Sequence, residues 1–157
     1  MGILDGKVAT VTGAGRGVGA AHARLLAQCG AAVVVNDLGT AVGGEGTDVT
    51  PAQAVVDEIV AAGGRAVANT DDVASWSGAQ SLVDQAVDEF GRLDILVNNA
   101  GIVRDAMSFN LTEDDWDAVI RVHLKGHAAT SRFAAAQWRQ RAKAGETVAG
   151  RIINTTS

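Results

Sequence analysis

Three consecutive valines, Val33-Val34-Val35, constrain this chain more than any other feature. Successive side chains of a strand point to opposite faces of a sheet, so an unbroken apolar β-branched run suits a strand buried on both faces. Such a strand needs helices above and below it, which means a parallel sheet in a layered α/β structure. The rest of the chain repeats the pattern. Strands are expected from Lys7 to Val11, Ala31 to Val35, Arg65 to Asn69, Asp94 to Val97 and Arg151 to Thr155. Helical patterns alternate with them. The first carries Ala20, Ala21, Ala23, Leu25 and Leu26. The second places Ala52, Val55, Val56, Ile59 and Val60 on one helical face and stops at Gly63-Gly64. The third carries Leu82, Val83, Ala86, Val87 and Phe90 and ends at Gly91.

Two helix starts are legible. After a glycine-rich loop over 39–49, Thr50-Pro51 reads as an N-cap followed by the first helical position. Thr112-Glu113-Asp114-Asp115 is a capping-box pattern with extra acid at the positive end of the helix dipole. That helix is expected to run past Trp116, Val119 and Ile120 towards Trp138. The chain stops at Ser157, as the fifth strand ends. A strand with nothing covering its far side leaves unpaired backbone groups. The expectation is therefore one α/β domain over residues 1–157, a doubly wound parallel sheet truncated after the fifth strand.

Composition narrows the function classes. The 157 residues are 47% apolar, enough for a sizeable core. A net charge of −5, with no basic stripe, argues against nucleic acid as a partner. The single cysteine, Cys29, excludes an intramolecular disulfide framework or a cysteine-based zinc cluster and suggests a reducing compartment, so a cytoplasmic location is expected. His22 and His127 have no metal-ligand partners at useful spacing, so no metal is expected. No apolar run approaches the roughly 20 residues of a membrane span, and the N-terminus does not read as a signal peptide. Trp76, Trp116 and Trp138 read most simply as core or interface residues. There is no tyrosine.

The turn Thr12-Gly13-Ala14-Gly15-Arg16-Gly17-Val18-Gly19 lies between a strand and a helix. Glycines there allow a tight turn and close backbone approach to a pyrophosphate held at the helix N-terminus. Two frames fit: Gly15-x-Gly17-x-x-Ala20, the general dinucleotide fingerprint, and the longer Gly13-x-x-x-Gly17-x-Gly19. An acidic residue is then expected about 20 positions later to bond ribose hydroxyls. Asp37 stands there, followed by Leu38. Its carboxylate would repel a 2′-phosphate, which favours NAD over NADP. Arg16 could touch a phosphate or simply be solvated.

These residues resemble the short-chain dehydrogenase/reductase family, with its Rossmann-type sheet. Thr12-Gly13-x-x-x-Gly17-x-Gly19 is similar to the family's cofactor motif, and Asn98-Asn99-Ala100-Gly101 to its second signature, with Asp94 just before that strand's core. Asp72-Val73 resembles the pair that contacts the adenine ring. The resemblance implies cofactor contacts at Gly13, Arg16, Gly17, Val18, Gly19, Asp37, Leu38, Asp72, Val73, Asn99, Ala100 and Gly101. It implies that Asn98 ties neighbouring strands through its side chain. Within the family, the stretches Val33–Gly39, Gly64–Asn69 and Ile102–Asp105 resemble the (3R)-hydroxyacyl-CoA dehydrogenases of peroxisomal multifunctional enzymes and bacterial relatives acting on acyl-CoA or steroid side chains. A homo-oligomer, paired through the helix from Thr112 onward and the helix expected after it, is implied as well.

The family moves hydride between a nicotinamide and a carbinol carbon. It uses a Tyr acid/base with a Lys four residues on, a Ser that polarises the substrate oxygen and an Asn that orders a relay water. Ser157 matches the serine. The Tyr and Lys are expected beyond Ser157, where the pKa of a phenol near 10 is drawn down by nearby positive charge. His123 stands at the Asn position, in Val122-His123-Leu124-Lys125-Gly126, where the hydroxyacyl-CoA branch is expected to carry His. It reads either as a proton-relay residue or as a helix-interior imidazole bonded to a backbone carbonyl. Three functions therefore compete. The first is an NAD-dependent oxidoreductase acting on a small-molecule substrate. The second is an inactive dinucleotide-binding module. The third is a nucleoside-binding transferase on the same sheet, which Asn98–Gly101 and Ser157 oppose.

Overall fold

A computed structural model describes residues 2–40 and 50–156. Its order is β1 (Val8–Val11), α1 (Gly17–Gln28), β2 (Ala32–Asn36), α2 (Thr50–Ala61), β3 (Arg65–Asn69), α3 (Trp76–Phe90), β4 (Ile95–Asn98), α4 (Glu113–Ile120), α5 (His127–Lys143) and β5 (Arg151–Asn154). A 3₁₀ turn at Ser108–Asn110 precedes α4. The strands form one sheet in the order β3-β2-β1-β4-β5, with every pairing parallel. The expected doubly wound architecture is present.

The valine run behaves as its chemistry requires. Val33 and Val35 pack into the core beneath α1 and α2, while Val34 faces Leu82, Val83 and Ala86 of α3 on the other side. All three valines are fully buried, and each contributes on the order of 1.5–3 kcal/mol relative to exposure. β1 and β4 alternate in the same way: Ala9, Val11, Ile95 and Val97 share one core, Val8 and Leu96 the other. The chain leaves β1 for one flank of the sheet and returns at β4 to build the other, so a crevice opens at the β1/β4 switch point.

Helix ends follow local chemistry. The Ser75 side chain accepts from the Gly78 amide to start α3, and Gly91, at φ 80°, closes it with a bond to the Val87 carbonyl. Thr112 accepts from the Asp115 amide at 3.2 Å, and three acidic residues fill the first turn of α4, as the capping pattern predicts. Thr50, expected as an N-cap, is the first residue of α2. Most of the expected glycine-rich loop, 41–49, falls outside the described residues.

Two expectations are corrected. The helix from Thr112 towards Trp138 is not one regular α-helix: a π-helical stretch at Arg121–Gly126 separates α4 from α5. The 3.6-residue apolar spacing cannot reveal a local change from i−4 to i−5 bonding. Val60, assigned to an apolar helix face, is 53% exposed, because the core side of α2 is filled by Ala52, Val55, Val56 and Ile59. Trp138 is anchored, its indole N–H donating to the Leu93 carbonyl at 2.8 Å, whereas Trp76 and Trp116 are exposed.

Candidate functional site

The switch point holds a cavity of about 440 Å³ at the C-terminal ends of the strands. Its wall comes from the turns after four strands: Gly13 and Arg16 after β1, Asp37 and Leu38 after β2, Asp71 to Val73 after β3, and Asn99 to Ile102 after β4. Ala118 and Arg121 close it from the α4 side. Nine of the sequence-predicted residues thus meet in one place. Gly17, Val18 and Gly19 lie beside it in the first turn of α1, with Val18 exposed and Gly19 buried.

Hydrogen bonds fuse the glycine turn to the Asn99–Gly101 segment. The Thr12 hydroxyl accepts from the Asn99 and Ala100 amides at 2.9 and 3.0 Å. The Asn99 carboxamide returns two bonds, to the Thr12 and Gly13 carbonyls at 3.1 and 3.0 Å. Gly13 has φ 60°, and a Cβ there would lie 2.7 Å from the Ala100 Cα. A Cβ on Gly19 would lie 2.2 Å from the Gly13 carbonyl oxygen. Both positions therefore require glycine, one by conformation and close approach, the other by close approach alone. Arg16 stands at the N-cap of α1 in extended conformation and places no side chain on the helix amides. The positive end of α1 is left open to an anion.

Asp37 faces this turn. Its Oδ2 accepts from the Gly15 amide and its Oδ1 from the Gly39 amide, both at 2.8 Å. Each oxygen keeps capacity for a further donor. Asp72 is less free: Ala74 donates its amide to Oδ1, and Arg121 pairs with Oδ2. Val73 is buried in the wall and belongs to the core beneath α3. Asn98 ties strands as its resemblance implies, donating to Asn154 of β5 at 2.9 Å and to the Ser131 hydroxyl at 3.1 Å.

His123 sits on the π-helical stretch, outside the cavity lining. Its Nε2 lies 2.9 Å from the Ile102 carbonyl and 3.1 Å from the Ile102 amide, so the tautomer decides which it engages. Its ring also packs over Gly101. The imidazole therefore holds backbone that lines the cavity. His127 lies one helical turn on, with ring centroids 6.4 Å apart. Burial lowers the His127 pKa and the neighbouring His123 adds to this, against an opposing hydrogen bond to the Ala100 backbone. Ser157 lies outside the described residues.

The sequence reading missed Asn36, Asp71, Ile102 and Arg121 in the lining. Arg121 carried no signal, because its approach to Asp72 depends on how α4 crosses the sheet end. Asn36 and Asp71 flank predicted residues, and polar side chains at buried strand ends were the available clue. Among the described residues no group of three or more His, Cys, Asp and Glu side chains could hold a metal, and no helix is long and apolar enough to cross a membrane.

Known proteins are similar to this chain in sequence and fold. A hydroxyacyl-CoA dehydrogenase, ChsB1, of Mycobacterium tuberculosis is 50% identical over 160 residues, covering 98% of this chain and 48% of the relative. Mouse peroxisomal multifunctional enzyme type 2 is 45% identical over 154 residues, covering 98% of this chain but 20% of the relative. The crystal structure of a short chain dehydrogenase from Mycobacterium avium superposes with a TM-score of 0.92 at 58% identity, covering 99% of this chain and 56% of that one. The chain thus spans about half, or less, of the length of these curated relatives. The family model for short chain dehydrogenases matches residues 7–157, and this chain belongs to that family.

Proposed function

We propose that this chain is the dinucleotide-binding part of an NAD(H)-dependent oxidoreductase that interconverts a secondary alcohol and a ketone on a 3-hydroxyacyl-CoA-like or steroid-like substrate. The observation that carries the proposal is the cavity at the switch point, with the glycine turn locked to Asn99 on one side and Asp37 bonded to the Gly15 amide on the other. The residues fit the group. The uncapped N-terminus of α1 suits a pyrophosphate, and Asp37 has lone pairs to accept from ribose hydroxyls. Asp72, Val73 and Leu38 line the cavity and would take the adenine, and Asn99, Ala100 and Gly101, also in its lining, would hold the ribose and phosphates. When bound, the cofactor would supply hydride chemistry; His123 holds the Ile102 backbone of the cavity wall, and Ser157 is assigned to the substrate oxygen.

Asp37 carries the preference for NAD over NADP, through repulsion between its carboxylate and a 2′-phosphate. The hydroxyacyl-CoA substrate class is supported by the similarity to the mycobacterial hydroxyacyl-CoA dehydrogenase. A homo-oligomer formed through α4 and the π-helical stretch that follows it belongs to the same proposal, supported by the exposure of Trp116 and Leu124. So does a cytoplasmic location, which rests on the lone Cys29. The test is a titration with NADH and NADPH followed by tryptophan fluorescence. NADH is expected to bind at least about tenfold tighter, a difference of about 1.4 kcal/mol. Equal affinities would remove the NAD assignment, and failure of both to saturate would remove the dinucleotide site.

A further inference from the structure

β3 flanks the sheet, and only its last residue, Asn69, is buried. An amide buried at the end of a half-exposed flanking strand needs a reason, since its desolvation is costly unless every polar atom is paired. Here every one is. The Asn69 Oδ1 accepts from the Asn36 side chain at 2.6 Å and from the Asp71 amide at 3.0 Å. Its Nδ2 donates to the Asp71 carboxylate at 2.8 Å and to the Gln85 side chain at 2.7 Å. Its backbone carbonyl accepts from the Asp37 amide at 3.0 Å. Gln85, from α3, is itself fixed by donating to the Ala68 carbonyl at 3.1 Å. Asn36 completes the set by donating to the Asp71 carbonyl at 2.9 Å.

Neither Asn69 nor Gln85 lines the cavity, yet Asn36, Asp37 and Asp71 all do. We propose that Asn69, clamped from behind by Gln85, is a positioning residue that sets the adenosine end of the cavity. It orients the Asp71–Val73 loop through its side chain and Asp37 through its backbone. The loop between β3 and α3 has no regular structure over its first residues, so its path depends on these bonds. A saturated side-chain network acts as a unit, and loss of one member propagates to the rest. The inference rests on the dinucleotide reading of the cavity and extends it to residues that touch no cofactor.

The test uses the whole chain and adenosine diphosphoribose as probe, at a temperature well below the melting transition of every variant. Gln85→Leu removes the clamp. It is expected to weaken adenosine diphosphoribose and NADH by the same factor, about tenfold, the worth of roughly one hydrogen bond to a positioned group. A merely structural role would lower the melting temperature while leaving affinity per folded molecule alone. If folded Q85L binds adenosine diphosphoribose within about twofold of wild type, the inference is overturned. Should circular dichroism show Q85L unfolded, Gln85→Ala is judged by the same criterion. Failure of the wild-type chain to bind the probe at all overturns the dinucleotide reading itself, a result separable from normal wild-type binding with unaffected variants.

Discussion

Two aspartates stand at opposite ends of the same sheet and do opposite things. Asp94, just before β4, is buried at the N-terminal end. Arg92 grips it with two bonds, at 2.8 and 2.6 Å, the Val8 amide donates to it at 3.0 Å, and Arg141 stands 3.7 Å away. Asp37, after β2, is held at the C-terminal end by backbone amides alone, and among the described residues no cation pairs with it. One carboxylate is matched by cations among packed neighbours; the other borders a 440 Å³ cavity. A charge that is fully matched inside the protein fastens the fold. A charge satisfied only by dipoles stays available to a ligand.

The sharpest way to break this contrast is to remove each carboxylate in turn. Asp94→Ala leaves the half-buried Arg92 guanidinium without its anion, although Arg141 keeps Glu146, and is expected to cost about 3 kcal/mol of stability, read as a lower urea midpoint. Cofactor affinity per folded molecule should not change. Asp37→Ala should behave in reverse. It leaves the Gly15 and Gly39 amides unpaired, costing about 1 kcal/mol, but lowers NADH affinity about tenfold and narrows the gap to NADPH. If both variants lose stability equally and binding equally, the division of labour between the two ends is wrong.

Acid sharpens the comparison further. Burial pushes the Asp94 pKa up, but the Arg92 hydrogen bond, the Val8 amide and the charges of Arg92 and Lys7 together hold it below its ordinary 3.8. A depressed carboxylate contributes stability in full above the unfolded value and loses it as pH falls through the lower folded value. Urea midpoints should therefore drop steeply below about pH 4, and D94A should flatten that limb. The smallest effect lies at the other end. His127 is held below its ordinary 6.5, chiefly by burial, so the fold prefers its neutral ring. Stability is expected to be full above 6.5 and to decline gently as pH falls below it, with the slope absent from His127→Gln.

Much of the site was legible because its residues act through local chemistry. Gly13 and Gly19 are demanded by a turn that packs backbone on backbone, and no other side chain fits. Asp37 follows from the spacing of a strand end, and Thr112 from a helix start. Arg121 was not legible. It lies 49 positions from Asp72, and only the path of α4 over the sheet end brings them together. The π-helical stretch was hidden for a related reason: it changes hydrogen-bond register without changing residue type.

The sequence by itself determined the alternation of strands and helices, the parallel sheet and the placing of glycines and Asp37 at strand ends. These depend on side-chain period, backbone conformation and short-range bonding, all of which operate within a few residues. Only the tertiary structure decided which polar groups meet across the sheet. Asn69 joining Asp37, Asp71 and Gln85, Arg121 reaching Asp72 and His123 settling on the Ile102 backbone each join segments far apart along the chain or on different elements. Those encounters are set by how layers pack, and hydrogen-bonding capacity read from residue type does not say which partner will arrive.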